Sequence, residues 1–174
     1  MGDPQTTQQG PRRARRWVRW ARDLLILLAI VVAVQWWQAR DLAGGRAPPL
    51  VGLLVDGSPY QLETTEGPVM VHFWATWCPV CRLEQDNIAS IAADGRVVTV
   101  ATSSGSAEDV AAYLEDQGLA MPVVLDERGD IAQAWGVNGV PATFIVDRGG
   151  EIRSAHMGYA TELGLRLRLW WAQW

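Results

Sequence analysis

The sequence predicts an α/β fold, one central mixed β-sheet flanked by helices, with a membrane-spanning helix ahead of it. Three observations predict this. Short apolar, β-leaning runs alternate with helical patterns from residue 50 onward. The run Val69–Trp74 is nearly continuous in apolar character, as in a strand covered on both faces. Six arginines clustered over residues 12–22 stand directly ahead of an apolar run over residues 24–34.

Residues 1–16 are polar and basic, contain Gly2, Pro4, Gly10 and Pro11, and read as a disordered cytoplasmic tail. Gly2 with Thr6 fits the bare myristoylation pattern, which is loose enough that chance is the better reading. Residues 17–40 read as an uncleaved signal-anchor. The strictly apolar stretch is short, but terminal tryptophans and snorkelling arginines extend it to the length of a span. The alternatives are a cleaved signal peptide and a buried helix; Gln35-Trp36-Trp37-Gln38 makes a poor cleavage site. Positive charge on the N-terminal side places the N-terminus in the cytoplasm and the body outside. Residues 41–49, with Gly44-Gly45 and Pro48-Pro49, read as a linker, and residues 50–174 as the domain.

Within the domain, Asp56-Gly57-Ser58-Pro59 signals a hairpin, followed by the strand Val69–Trp74. A helix opens at Pro79, a residue suited to a first helical position, and aligns Val80, Glu84, Asn87, Ile88 and Ile91 on one face. It stops near Asp94-Gly95. Residues 97–101 read as a strand, 103–106 as a loop and 107–117 as a helix ended by Gly118. Residues 121–125 read as a short strand and 130–135 as a short helix. Residues 142–146 and 151–156 form strands about an Asp147-Arg148-Gly149-Gly150 turn. At residues 161–174, strand-like alternation competes with a helical stripe of Leu163, Leu167, Trp170, Trp171 and Trp174; length and a cap at Thr161 favour the helix.

The 174 residues suffice for one domain and an appendage. Residues 1–40 carry seven arginines against two acids, and the remainder eight against seventeen, so a head of +5 joins a body of −9. An acidic body repels phosphates, which argues against nucleic acid as its partner.

Both cysteines lie in Cys78-Pro79-Val80-Cys81. A thiolate, not a thiol, is the nucleophile, and a helix N-terminus favours negative charge there. Cys78 is therefore the candidate attacker, and Cys81, one turn further in and less exposed, the resolving thiol. A structural staple gains most by closing a long loop, and this pair closes almost none. A Cu(I) or zinc site would need ligands beyond two thiolates and a histidine, and no metal site is expected.

The segment Val71-His72-Phe73-Trp74-Ala75-Thr76-Trp77-Cys78-Pro79-Val80-Cys81-Arg82-Leu83-Glu84 resembles the active-site segment of bacterial membrane-tethered thioredoxin-like proteins, the TlpA/ResA-like and cytochrome-c-maturation thiol-disulfide oxidoreductases. Gly139-Val140-Pro141-Ala142-Thr143-Phe144-Ile145-Val146-Asp147 is similar to that family's cis-proline loop and following strand. Gly158-Tyr159, with Leu163-Gly164-Leu165-Arg166-Leu167-Arg168-Leu169-Trp170, resembles the copper-sensitivity-suppressor D subgroup. The resemblance implies a thioredoxin-like fold and a redox-active Cys78–Cys81 disulfide with no bound cofactor. It implies a cis Pro141 against the dithiol, with the Val140 backbone free to pair with substrate. It implies protein thiol and disulfide substrates, and a DsbD-like electron donor in the bacterial inner membrane.

Glu84 follows Cys81 by three residues, where ResA-like proteins place an acid beneath the dithiol; burial would raise its pKa and let it exchange protons with Cys81. His72 takes the strand position where thioredoxin has a buried acid. It reads equally as a proton acceptor for Cys81 and as a core histidine bonded to backbone. Trp77 is expected to wall a substrate groove with Pro79 and Val80, and Trp74 to be core. Asp86 stands where the family often has a helix-kinking proline, and the lysine many thioredoxins hold near the dithiol is absent. The leading expectation is a thiol-disulfide oxidoreductase acting outside the cytoplasm. The alternatives are a copper-binding or chaperone module using the same dithiol, and a peroxiredoxin-like peroxidase, for which Thr76 lacks its usual proline partner.

Overall fold

The computed structural model describes residues 17, 20–30, 33–34, 42–64 and 66–174. The chain divides into two units, Met1–Trp37 and Gln38–Trp174. In the first, residues 20–30 are helical (α1). Among the described residues no helix is long and apolar enough to cross a membrane. The expected tail (1–16) and ten residues of the expected span (18, 19, 31, 32 and 35–40) lie outside the described residues.

The second unit is built on a six-stranded mixed sheet. Its strands are β1 (Gly45–Arg46), β4 (Val69–Trp74), β5 (Val97–Thr102), β6 (Val123–Asp126), β7 (Ala142–Val146) and β8 (Glu151–Met157), in the order β1-β8-β7-β4-β5-β6. A separate hairpin, β2 (Val51–Leu53) and β3 (Pro59–Gln61), turns at the expected tetrapeptide. There Asp56 Oδ1 accepts from the Ser58 amide and hydroxyl, and Gly57 takes φ +83°. Helices α2 (Pro79–Ala92), α3 (Ala107–Asp116), α4 (Asp130–Ala134) and α5 (Glu162–Trp171) complete the unit.

β4 is central, parallel to β5 and antiparallel to β7, and is covered on both faces. Strand alternation sorts its side chains. Val71 and Phe73 enter a cluster with Trp135, Val137, Ala142 and Phe144. Met70 faces the opposite side with Ile88 and Ile91 of α2 and Leu165 and Leu169 of α5. In the first cluster the Trp135 ring lies 5.0 Å from Phe144 and 5.7 Å from Phe73 at tilted or edge-on angles, the arrangement aromatic quadrupoles prefer.

Three expectations need correction. Residues 42–49 are not a free linker: Leu42 is buried, Ala43 N–H donates to Trp135 O, and β1 extends the sheet beside β8. The strand expected at 121–125 begins at Val123, because Pro122 has no N–H to pair; its carbonyl instead accepts from Thr99. The buried stripe of α2 is Cys81, Glu84, Ile88 and Ile91, and Val80 faces solvent. Residues 162–171 form the expected helix, capped by Thr161 Oγ1; Leu163, Leu167, Trp170, Trp171 and Trp174 lie on its outer side, and Leu165 and Leu169 are the residues that pack.

Trp135→Ala is expected to cost about 3–5 kcal/mol, whereas Trp170→Ala should stay within about 0.5 kcal/mol; equilibrium denaturation of the two variants checks the contrast.

Candidate active site

β4 ends at Trp74, and the turn through Ala75, Thr76 and Trp77 reverses the chain into α2. Cys78 is the N-cap of that helix (φ −86°, ψ 112°), with Pro79 next. Its Sγ accepts from the Cys81 amide at 3.1 Å, taking one of the donors a helix start leaves unpaired. The two cysteines form a disulfide with Cα atoms 5.3 Å apart. The first turn of α2 holds no acid to oppose a thiolate at Cys78, and Arg82 lies within it. The expected difference in exposure is absent from this oxidised state: Cys78 is 3% and Cys81 4% exposed.

The β4–β7 register, with Phe73 opposite Ala142, carries the distant 139–141 loop to the same end of the sheet. The Val140–Pro141 peptide is cis, and Val140 O lies 3.6 Å from Cys78 Sγ. Among the described residues the Val140 amide and carbonyl take part in no backbone hydrogen bond. Beside them opens a groove of about 370 Å³ whose walls include Trp77, Ser103, Arg128, Asn138 and Val140. Trp77 is 59% exposed, yet its indole N–H donates to Ser103 O at 2.9 Å. Ser103 takes φ +47°, uncommon for a residue other than glycine. Pro79 and Val80 are exposed next to the disulfide, and Trp74 is buried as expected, 5.5 Å from the Tyr113 ring.

His72 and Glu84 meet beneath the disulfide. Glu84 is fully buried on the α2 stripe one turn below Cys81. Its Oε2 accepts from Ala160 N–H at 2.8 Å, while Oε1 has no hydrogen-bond partner and lies 3.7 Å from His72 Nε2. His72 Nδ1 is 2.9 Å from the hydroxyl of Thr143, its register partner on β7. A hydroxyl that donates to Nδ1 leaves the Nε2 proton aimed at the carboxylate. His72 and Cys81 also line one small cavity with Trp74 and Tyr113. Burial pushes the Glu84 carboxyl up to about 7, against the Ala160 bond that pulls it down. Burial lowers His72 to about 3. A dominant ion pair would move both the other way, so desolvation wins, and at neutral pH a neutral imidazole faces a carboxyl near half-ionisation.

The register partner Thr143 and the Ala160 amide were not anticipated. Strand pairing of the two expected strands would have found the first; the second comes from a loop whose sequence carries no sign of it. His156 stands apart, half-buried, with Nε2 3.3 Å from Tyr159 O. Among the described residues no group of three or more His, Cys, Asp or Glu side chains is placed to hold a metal ion.

A helix-capping CxxC disulfide at the end of the central strand of a mixed sheet, facing a cis-proline loop, defines a thioredoxin-like thiol-disulfide oxidoreductase. The comparisons agree. The chain belongs to the AhpC/TSA family, which it matches over residues 43–155, and within it to the DsbE/ResA-type thiol-disulfide oxidoreductases. It is 32% identical to thiol:disulfide interchange protein DsbE of Escherichia coli K12, over 78% of this chain and 82% of that one. It is 29% identical to thiol-disulfide oxidoreductase ResA of Halalkalibacterium halodurans, over 87% and 91%. The crystal structure of StoA from Bacillus subtilis superposes with a TM-score of 0.60 at 26% identity, over 70% of this chain and 98% of that one. The protein is thus an enzyme that exchanges disulfides through Cys78 and Cys81.

Glu84 sets a pH dependence of stability. Its carboxyl is raised from 4.5 to about 7, so the fold favours the neutral form. That contribution is whole below pH 4.5 and is lost as pH rises through 7. Glu84→Gln cannot ionise, and its stability relative to the parent is expected to climb between pH 5 and 8 by up to about 3 kcal/mol; denaturation midpoints across that range check it. His72 slopes the other way, since its stabilisation is present above pH 6.5 and is lost toward pH 3.

Proposed function

We propose that the chain is a single-pass inner-membrane protein whose domain exchanges disulfides with extracytoplasmic protein substrates, and that Glu84, with His72, moves the proton of Cys81. The observation that carries the proton role is the buried Glu84 carboxyl, one turn below Cys81, with a free Oε1 and a pKa of about 7. A group that titrates at the working pH is best suited to give and take protons.

In the reducing direction, the Cys78 thiolate attacks a substrate disulfide sulfur, which forms a mixed disulfide and expels one substrate thiolate. Glu84 carboxylate takes the proton of Cys81. The Cys81 thiolate then attacks Cys78 Sγ, closes the Cys78–Cys81 disulfide and releases the second substrate thiolate, so two electrons have passed to the substrate. The oxidising direction reverses each step. The unpaired Val140 backbone pairs with the substrate chain, cis Pro141 holds it over Cys78, Trp77 walls the groove, and Pro79 and Val80 stand exposed next to the disulfide.

Membrane attachment rests on the arginine cluster, on the unbroken apolar run from Leu24 to Ile30, and on the helicity of residues 20–30. A helix apolar on all sides finds its stable setting inside a core or a bilayer. The positive-inside rule then puts the domain outside the cytoplasm. A DsbD-like membrane protein supplies the electrons in this reading, and the C-terminal likeness over residues 158–170 supports the copper-sensitivity-suppressor D subgroup as its finer affiliation.

Cys78→Ser is expected to abolish insulin-disulfide reduction, and Cys81→Ser to accumulate mixed disulfides with substrate. In the parent the resolving step should accelerate as pH rises through about 7. In Glu84→Gln it should slow about 100-fold at neutral pH and lose that inflection. Stopped-flow release of the second thiol decides the matter, and an inflection near 7 that survives the substitution refutes the role given to Glu84.

A further inference from the structure

Helix α5 is apolar on two sides. Leu165 and Leu169 pack inward, at 0% and 6% exposure. Outward, Leu163, Leu167, Trp170 and Trp171 make one stripe at helical spacing, 55–77% exposed, and Trp174 continues it at 89%. The three tryptophans alone present on the order of 500 Å² of aromatic surface. A patch of that size matches the largest that a monomer in water usually exposes, and such patches are often functional.

What covers this face is indicated by its composition and its place in the fold. Tryptophan, leucine and arginine together are the residues of the bilayer interface. A mostly apolar groove of about 270 Å³ runs between α5 and β8, lined by Arg153, Ser154, Leu167, Arg168 and Trp171. Arg168 at its rim makes no ion pair among the described residues, which leaves a cation for a lipid phosphate. The chain enters the domain at this edge, because Gly45 pairs with Ile152 of β8, next to Arg153. Trp170 shares a pocket with Ile91 and Asp94, at the far end of α2 from Cys78. The 14-residue helix is about 21 Å long, so this face lies roughly that far from the disulfide.

We infer that the outer face of α5 rests in the headgroup–acyl boundary of a phospholipid bilayer and holds the Cys78–Cys81 end of the domain turned away from it. The inference builds on the membrane attachment proposed above. In that position the tryptophans bury their rings at headgroup depth, Arg168 meets phosphate, and the groove beside the disulfide faces substrate in the aqueous phase.

The test compares the full chain with Trp170→Ala/Trp171→Ala/Trp174→Ala in phosphatidylcholine–phosphatidylglycerol vesicles. The lipids are used either plain or brominated near the headgroup end of the acyl chains. The emission difference between parent and variant isolates the three tryptophans and is expected to fall roughly twofold or more in brominated vesicles. Insulin reduction by the variant should match the parent and so report its fold; the single variant Trp171→Ala gives the same difference measurement should the triple variant lose that activity. A chain that floats with vesicles while the difference emission ignores bromination overturns the inference and leaves the anchor standing. A chain that does not float overturns both. A difference emission set by the protein-to-lipid ratio and indifferent to bromination means that a second copy covers the face, which also overturns the inference.

Discussion

The structure depends on the register between β4 and β7. Phe73 opposite Ala142 and His72 opposite Thr143 are backbone pairings in the middle of a sheet covered on both faces. A slip of one residue would turn every side chain of β4 to the other face. Val71 and Phe73 would leave the aromatic cluster built on Trp135, and His72 would leave Glu84. The same register brings Val140 beside Cys78 although they lie 62 positions apart in the chain. The helix start that caps the disulfide and the loop that faces it are both consequences of where β4 ends.

The second dependence is electrostatic. A carboxyl and an imidazole share the core beneath the disulfide, each pushed toward its neutral form by burial. An apolar pair would be cheaper, because one carboxylate oxygen has no hydrogen-bond partner and an unpaired buried acceptor costs about 1–3 kcal/mol. The Ala160 amide offsets part of that cost and ties the loop before α5 to α2. A site kept at this expense next to a redox-active disulfide is consistent with proton handling, since perturbed groups gather where protons move.

Much of this was legible in the sequence because local chemistry agreed with the fold. Val69–Trp74 reads as a doubly covered strand, Pro79 as a helix start, and Asp56-Gly57-Ser58-Pro59 as a turn; each is an instruction within a few residues. The failures are places where the deciding partner is distant. Gly44-Gly45 and Pro48-Pro49 have linker composition, but Gly45 and Arg46 find an open sheet edge at β8, which no local pattern announces. On α5 two apolar faces share one helix, and the pattern names the helix without naming the face that packs. Leu165 and Leu169 are the ones that meet Ile88 and Ile91, a choice made by the shape of α2 and invisible in periodicity. On α2 Cys81 completes the buried stripe with Glu84, Ile88 and Ile91, and Val80, expected on that face, turns to solvent.

The burial of the disulfide also bears on specificity. At 3% and 4% exposure neither cysteine offers much surface to a passing thiol. A substrate must therefore be aligned before sulfur meets sulfur. The features available for alignment are mostly backbone: the unpaired amide and carbonyl of Val140, with that carbonyl already 3.6 Å from Cys78 Sγ. Main-chain pairing reads an extended chain and not its side chains. The Ser103 carbonyl accepts from the Trp77 indole N–H and so fixes the ring that forms one groove wall. On the function proposed above, an arrangement of this kind would select for an extended, disulfide-bearing segment and leave room for many sequences, with finer choice left to the polar groove walls at Arg128 and Asn138.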